Sequence, residues 1–397
     1  MGKIYTILMA IFKIYAIYFA AVTIIGLIKN KKLEETDKKI KFAVLLPARN
    51  EENCITGIIK TLQKQNYPKE LIDIFVIPNN CTDKTKEKAE ESGAYAINVP
   101  EYVKNKGMAL TYAMDELIKT NNYDAFLIFD ADNKVNKEFV SEMNKAFCNG
   151  ANVTKSRIFA QEPQKSIVAT FYDMHFCFAN RTINKARQNI GLSARVIGTG
   201  FGISSKFLKQ NGGFTANSIT EDVEFYVQYS VIGECAVYCE NAITYDEQPQ
   251  SFRISLMQRK RWMSGIMQVF ILKIKDILKA ITKKKTFKYG IDVFMQLSFT
   301  YVQAFLPFVI LIGIIAYGFD YIKIFLEMLI SCYTTVFLIG LIVIILEKRF
   351  KASINTIFGI ILYPIFVLSF IPLQTLSLFK KTKKWREMEH KGTESKV

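Results

Sequence analysis

The chain has 397 residues, enough for one large domain and several membrane segments, and 50% of them are hydrophobic, which points toward lipid rather than a purely soluble fold. Lysine and arginine number 52 against 36 acids, an excess of 16; with no nucleic-acid motif to use it, lipid headgroups and nucleotide phosphates are the better anionic partners. The two histidines, His175 and His390, exclude chemistry built on several histidines, and seven scattered cysteines without a CxxC pair argue against a disulfide framework or a zinc site.

Residues 4–28 form an apolar run interrupted only by Lys13 and followed at once by Lys29, Lys31 and Lys32, whereas only Lys3 precedes it. By the positive-inside rule this is a signal-anchor helix that leaves the next domain in the cytoplasm. The length of the run and the heavier charge after it argue against a cleaved signal peptide. The opening Met1-Gly2-Lys3-Ile4-Tyr5-Thr6 fits the loose myristoylation pattern, to which a spanning helix leaves little to add.

Between 41 and 150, short apolar runs alternate with helix-like stretches of mixed charge. Strands are expected at 42–46, 72–77, 95–99 and 124–129, and helices at 51–65, 84–92, 107–120 and 136–147. That order predicts an α/β fold with a mostly parallel sheet and helices on both faces, where ligands bind beyond the carboxyl ends of the strands. Those ends carry Pro47-Ala48-Arg49-Asn50-Glu51, then Pro78-Asn79-Asn80-Cys81-Thr82-Asp83, then Asp130-Ala131-Asp132. From 151 to 245 the pattern is less periodic, with a helix expected at 166–187 and a glycine-rich turn at 198–202.

Residues 252–281 read as a basic amphipathic helix on the cytoplasmic membrane face, a solvated helix of the soluble domain being the alternative. Segments 291–319 and 328–346 are long enough to span, and 352–379 carries no charge. If all three cross, the basic tail beginning at Lys380 ends outside, against the charge rule. Pro364 and Pro372 are therefore expected to break the last segment into a re-entrant or interfacial hairpin. The expected divisions are an anchor at 1–32, a cytoplasmic domain at 33–250, the interfacial helix at 251–290, membrane segments at 291–379 and the tail at 380–397.

Asp130 and Asp132 flank one residue directly after a strand, either as a solvated turn or as oxygen ligands for the hard cation that a nucleotide diphosphate requires. Asp83 is placed to accept from a base or ribose, or to cap the helix that follows. Lys106 suits a phosphate or a base. Thr220-Glu221-Asp222 opens an amphipathic helix, either as a cap with dipole-favoured acids or with Asp222 as a general base. Gln258, Arg261 and Trp262 lie on the interfacial helix, where an indole can stack on a sugar and an arginine can grip a diphosphate, or where both anchor the helix at headgroup level.

Taken in order, the stretches 45–52, 80–85, 106–110, Asp130-Ala131-Asp132, Gly198-Thr199-Gly200-Phe201, Thr220-Glu221-Asp222 and Gln258-Arg259-Lys260-Arg261-Trp262 resemble the membrane-bound family 2 glycosyltransferases, the group of cellulose, chitin, hyaluronan and poly-N-acetylglucosamine synthases. The resemblance implies a GT-A-type fold in which Pro47, Ala48, Glu51, Asp83 and Lys106 contact the nucleotide. It implies that Asp130 meets the donor, that Asp132 holds Mg²⁺ or Mn²⁺ with the diphosphate, and that Asp222 is the base. Gln258, Arg261 and Trp262, with Glu221, would serve the diphosphate and acceptor end, and Gly198, Thr199, Gly200 and Phe201 would shape the acceptor site. The implied reaction is inverting, from a UDP-sugar (GlcNAc or glucose) to a growing β-linked glycan, with single transfer to a membrane lipid as the alternative, in a multi-pass protein of the plasma membrane. Two departures stand out: the acceptor loop lacks the cysteine common in cellulose and hyaluronan synthases, and at most four spans are thin for a polymer channel. A dinucleotide-binding membrane protein is disfavoured because the first strand ends without GxGxxG.

Overall fold

A computed structural model describes residues 2–28, 33–120, 122–216 and 218–382; Lys29, Lys31 and Lys32 and the tail from Lys383 through Trp385, Arg386 and His390 lie outside the described residues. After a first helix, α1 (Gly2–Ile28), the expected alternation follows as β1 (Phe42–Ala48), α2 (Ile55–Gln63), β2 (Ile72–Pro78), α3 (Thr85–Glu91), β3 (Tyr95–Ala96), α4 (Lys106–Lys119) and β4 (Ala125–Ile128). The helix expected from 51 begins four residues later, because the Glu51 carbonyl accepts from both the Cys54 and Ile55 amides in a turn that Asn50 enters at φ 56°. The third strand keeps only two of its five expected residues.

The chain continues through β5 (Lys134–Val135), α5 (Phe139–Cys148), β6 (Val153–Ala160) and α6 (Ile167–Phe178), which runs on through a π-helical stretch, Ala179–Lys185, into α7 (Ala186–Asn189). Then come β7 (Phe201–Ser204), α8 (Ser205–Gln210), α9 (Glu221–Ser230) and β8 (Ala236–Asp246). The sheet order is β3-β2-β1-β4-β7-β6-β8-β5. Strands β1 to β4 are parallel as expected, but β7 runs antiparallel to both β4 and β6. The second half of the sheet is therefore mixed, and residues 198–202 are a turn only as far as Gly200. Because Phe201 pairs with Ile128, that turn sits over the end of β4, beside Asp130.

Both faces of β1 are buried, Ala43 and Leu45 against α4 and α9, and Phe42, Val44 and Leu46 against α2 and α5, as a central parallel strand requires.

The amphipathic helix α10 (Phe252–Ile281) has the expected bounds. Beyond it, the span expected at 291–319 is two helices, α11 (Phe287–Ala304) and α12 (Leu306–Tyr317), bent by 50° where Pro307 opens the second. They are followed by α13 (Phe319–Leu346), α14 (Ile354–Leu368) and α15 (Phe370–Phe379). Three helices are long and apolar enough to cross a membrane, four if the bent pair counts as one span. Helix α1 runs antiparallel along α11 and α12: Asn189 donates to the Gly26 carbonyl (2.8 Å), Tyr18 to Asp292 (2.6 Å), and Tyr5 packs edge-on against Tyr317. Helix α13 starts at that far end, with Tyr321 against Tyr5, and returns to place Glu347 between Arg157 and Arg181 of the α/β domain.

The last apolar segment does not form the expected hairpin. Helices α14 and α15 continue one another as a 26-residue rod through Ser369, with Pro364 inside α14 and Pro372 in the first turn of α15. At or just beyond its two ends the rod is tied to other elements: Asn355 donates to the Gln164 carbonyl (2.8 Å), and the Thr382 amide donates to Ser264 on α10 (2.8 Å). In its middle, Arg259 of α10 donates to the Phe366 carbonyl and to Ser369. The rod thus packs along α6 and α13 at one end and α10 and α11 at the other, and the chain ends its described course beside α10.

Candidate active site

The residues that the resemblance places against the donor sit in loops at the ends of β1, β2 and β4. Asp83 does not stand free: its carboxylate accepts from the Thr85 hydroxyl (2.5 Å), the Thr85 amide (3.1 Å) and the Glu52 amide (3.1 Å). Burial works against its charge, but these bonds hold the carboxyl below its usual range. The Glu51 amide in turn donates to Thr85, so the loops after β1 and β2 are stitched into one rim bearing Pro47, Ala48, Glu51 and Asp83.

Lys106 occupies the first turn of α4, whose start is capped by Asn105 accepting from the Met108 amide (2.9 Å). Its ammonium meets Asp130 (2.5 Å), Glu221 (3.2 Å) and the Gly198 carbonyl (3.0 Å). Burial opposes its charge, and Asp130 and Glu221 outweigh burial and raise it above the ordinary lysine range. The Asp130 amide donates to the Thr199 hydroxyl (2.9 Å), which donates to Asn133. Asn133 bonds Asp132 (2.9 Å) and Asp246 (2.8 Å) with one amide group.

Asp222 lies in the first turn of α9, where the helix dipole favours its charge, and its carboxylate accepts from the Gly198 amide (2.6 Å). Thr220, expected as a possible cap, makes no capping bond. Instead it packs against Gly265 of α10, where an added Cβ would fall 2.2 Å from the Thr220 side chain. That glycine lets α10 approach the 220–222 corner closely. On the same helix Gln258 accepts from Tyr172 (2.8 Å), Trp262 meets the Tyr172 ring edge-on at 5.9 Å, and Arg261 donates to the Ile219 carbonyl at 3.5 Å. The residues from distant stretches therefore form two joined groups. Lys106, Asp130, Asp132, Gly198, Thr199, Glu221 and Asp222 share one network, and Gln258, Arg261 and Trp262 border it through Tyr172 and Ile219.

Residues 125–346, more than half of the chain, match the family model described as glycosyl transferase family group 2. The chain belongs to that family. Among its relatives, the Bacillus subtilis protein named "probable glycosyltransferase YdaM" is 26% identical over 264 residues, covering 64% of this chain and 62% of its own length. A dolichyl N-acetyl-alpha-D-glucosaminyl phosphate 3-beta-D-2,3-diacetamido-2,3-dideoxy-beta-D-glucuronosyltransferase from Methanococcus voltae is 28% identical over 181 residues, covering 45% of this chain and 50% of its own. The chain thus spans about half to three-fifths of the length of these curated relatives. In fold it resembles the mannosyltransferase PcManGT from Pyrobaculum calidifontis, solved with GDP-Man and Mn²⁺, with a TM-score of 0.62 at 13% identity over 96% of this chain and 99% of that one.

In this family 2 chain the donor set beside Asp132 fits a hard cation. Burial first, then the neighbouring Asp246, Asp130, Glu51 and Glu247, push the Asp132 carboxyl well above its ordinary range, a condition that a bound divalent charge would relieve. Among the described residues no three acid, histidine or cysteine side chains converge as a preformed metal cage. Diphosphate oxygens would have to complete the coordination.

Four residues of the site were not singled out from sequence: Asn133, Lys155, Tyr172 and Asp246. Asp246 ends β8 and is followed by Glu247, so the strand-end rule that selected Asp130 applies to it equally. Lys155 lies among Thr154, Ser156 and Arg157 of β6, so its neighbours in sequence do not mark it. Tyr172 carries no comparable signal.

Proposed function

We propose that the chain is a metal-dependent, inverting transferase that moves one sugar from a nucleoside-diphosphate sugar, UDP-sugars first, to a hydroxyl of a membrane-borne lipid or lipid-linked acceptor. The observation that carries this is the shared turn at 198–200: Lys106, bonded to Asp130, holds its Gly198 carbonyl, while Asp222 accepts from its Gly198 amide. Diphosphate-facing and proton-accepting groups therefore lie on two sides of one short segment, as direct displacement requires.

On this reading Asp132 would hold a divalent cation together with the donor diphosphate, beside Asp130 at the donor, and the cation's charge would stabilise the leaving group. Lys106 moves its ammonium from the carboxylates toward the phosphates as they arrive. Asp222 takes the acceptor proton as the hydroxyl attacks the anomeric carbon from the opposite face, a role worth about 10²–10⁴ in rate. Gln258 and Trp262, fixed on Tyr172, offer the acceptor sugar or headgroup a polar contact and an indole face.

A lipid acceptor is favoured because the crossing helices are few and α10, which carries these residues, packs on α11 and α15 at the membrane side. The Methanococcus voltae relative likewise acts on a dolichyl-phosphate-linked saccharide. If α1, the α11–α12 pair and α13 cross while the α14–α15 rod, itself long and apolar enough to span, stays on one side, Lys380 and Lys381 fall on the side of the α/β domain, and the charge rule then supports a cytoplasmic domain on a plasma-membrane protein. The second reading, a growing β-linked glycan of glucose or GlcNAc, is supported by Trp262 as a stacking platform.

The test uses the full chain in lipid nanodiscs with Mn²⁺ or Mg²⁺ and a panel of UDP-glucose, UDP-GlcNAc, UDP-galactose and GDP-mannose. The expected outcome is nucleoside diphosphate release with a labelled product of fixed mass that extracts into organic solvent. A product that stays aqueous and lengthens with time selects the glycan reading, and no turnover with any donor overturns both.

A further inference from the structure

Lys155 is the one fully enclosed lysine whose amine reaches the candidate site without a carboxylate in salt-bridge reach, as far as the described residues go. It stands mid-strand in β6, is 1% exposed, and donates to the Thr199 carbonyl. Lys106 takes the preceding carbonyl, that of Gly198. Two amines therefore grip successive carbonyls of one turn, and they are not equivalent. Lys106 is shared with Asp130 and Glu221 and faces the diphosphate, whereas Lys155 is sealed beneath the turn. The groups whose fields reach Lys155 are Asp222, Asp246, Asp130 and the like-charged Lys106; burial, the largest influence, pushes its amine down to about 7.

The turn depends on support from below. Gly198 and Gly200 are both left-handed at φ 63°, and a Cβ on Gly200 would fall 2.2 Å from Ser156 and 2.4 Å from Thr244. The Gly200 amide and carbonyl are fixed by Ile128 and Ser156. The Thr199 amide donates to the Ile197 carbonyl (2.8 Å), which shares a peptide with the Gly198 amide, and the Thr199 carbonyl, which shares a peptide with the Gly200 amide, is the one that Lys155 holds.

We infer that Lys155 is a positioning residue which, through the Thr199 carbonyl, fixes the 198–200 turn so that the Gly198 amide stays on the Asp222 carboxylate while Lys106 is drawn to the donor. The consequence for turnover rests on the proposed role of Asp222; the geometric claim does not. Lys155→Met removes the donor at similar length, and Lys155→Gln keeps an N–H. In full-length protein in nanodiscs, hydrogen–deuterium exchange should rise at least about tenfold for the Gly198 amide in Lys155→Met and less in Lys155→Gln, with the β1 and β4 amides unchanged. Nucleotide release should show kcat down roughly tenfold in Lys155→Met, donor KM within about twofold, and partial recovery in Lys155→Gln. Wild-type exchange at Gly198 in both variants overturns the inference, as does a donor KM that rises while kcat holds. Failure of both variants to fold also overturns it, since Lys155 would then be a stability residue. An inactive wild type across the donor panel sinks the transferase reading instead, and the exchange result still stands by itself.

Discussion

The donor-side and acceptor-side halves of the site are built differently. Around β1 to β4, functional loops satisfy one another over short stretches of chain: Asp83 with Thr85 and Glu52, and Asn105 with Met108. On the acceptor side Tyr172 to Gln258 and Arg259 to Phe366 join segments 86 and 107 residues apart, through α10 and the α14–α15 rod. The loops expected to contact the nucleotide are held by bonds among themselves, whereas the corner that carries Asp222 packs on α10 and α11.

Asp222→Asn should widen that division most. Losing the base is expected to lower kcat by about 10²–10⁴ while calorimetric UDP binding stays at the wild-type value. Equal loss of nucleotide binding would show that the two halves are not separable.

Next in size is Asp292→Ala. Asp292 pairs with Arg187 at 3.0 Å and accepts from Gln296 (2.9 Å), which also donates to Tyr226 of α9, four residues beyond Asp222. Removing it leaves Arg187 buried without its carboxylate, at a cost of about 3–5 kcal/mol. Hydrogen exchange should accelerate in α9 and α11 while β1 and β2 keep their protection. Uniform loosening of both halves would refute the idea that the membrane contact supports the base side alone.

A smaller effect is expected from Tyr172→Phe. The hydroxyl donates to Gln258 and lies 3.1 Å from Ser255, so its loss removes about 1 kcal/mol of orientation from the platform and leaves the Trp262 edge contact in place. Acceptor KM should rise several-fold with donor KM unchanged; a rise in donor KM instead would tie Gln258 to the diphosphate.

How legible each half is in sequence follows from the same difference. Strand-loop-helix units repeat locally, so β1, β2 and β4 and the residues at their ends could be read from periodicity, as could the bounds of α10. The insertion of β7 between β4 and β6 could not, because which strands it joins depends on where α6 and α7 deliver the chain. The course of the last apolar segment was misread for a related reason: Pro364 and Pro372 announce a break, but Arg259 and Ser264 on α10 hold the rod in line. Lys155 stands in β6 among Thr154, Ser156 and Arg157, and only the fold brings its amine to the Thr199 carbonyl.

The smallest expected effect is on acid stability, and it falls on the acceptor side. His175 of α6 stacks on Phe370 of α15 at 5.7 Å, joining the α/β domain to the rod. Burial, with added repulsion from Arg259 and Arg195, pushes its imidazole down from 6.5 to about 4. Between those values the unfolded chain binds more protons than the folded one, so stability is full above about pH 6.5 and is lost as pH falls toward 4. His175→Phe keeps the stack and removes the proton site. Its unfolding midpoint in nanodiscs should fall less than that of the wild type between pH 7.5 and 5. Parallel losses in the two proteins would place the acid-sensitive group elsewhere. If wild-type exchange at low pH rose first in β1 and β2, the acceptor side would not be the half that acid loosens.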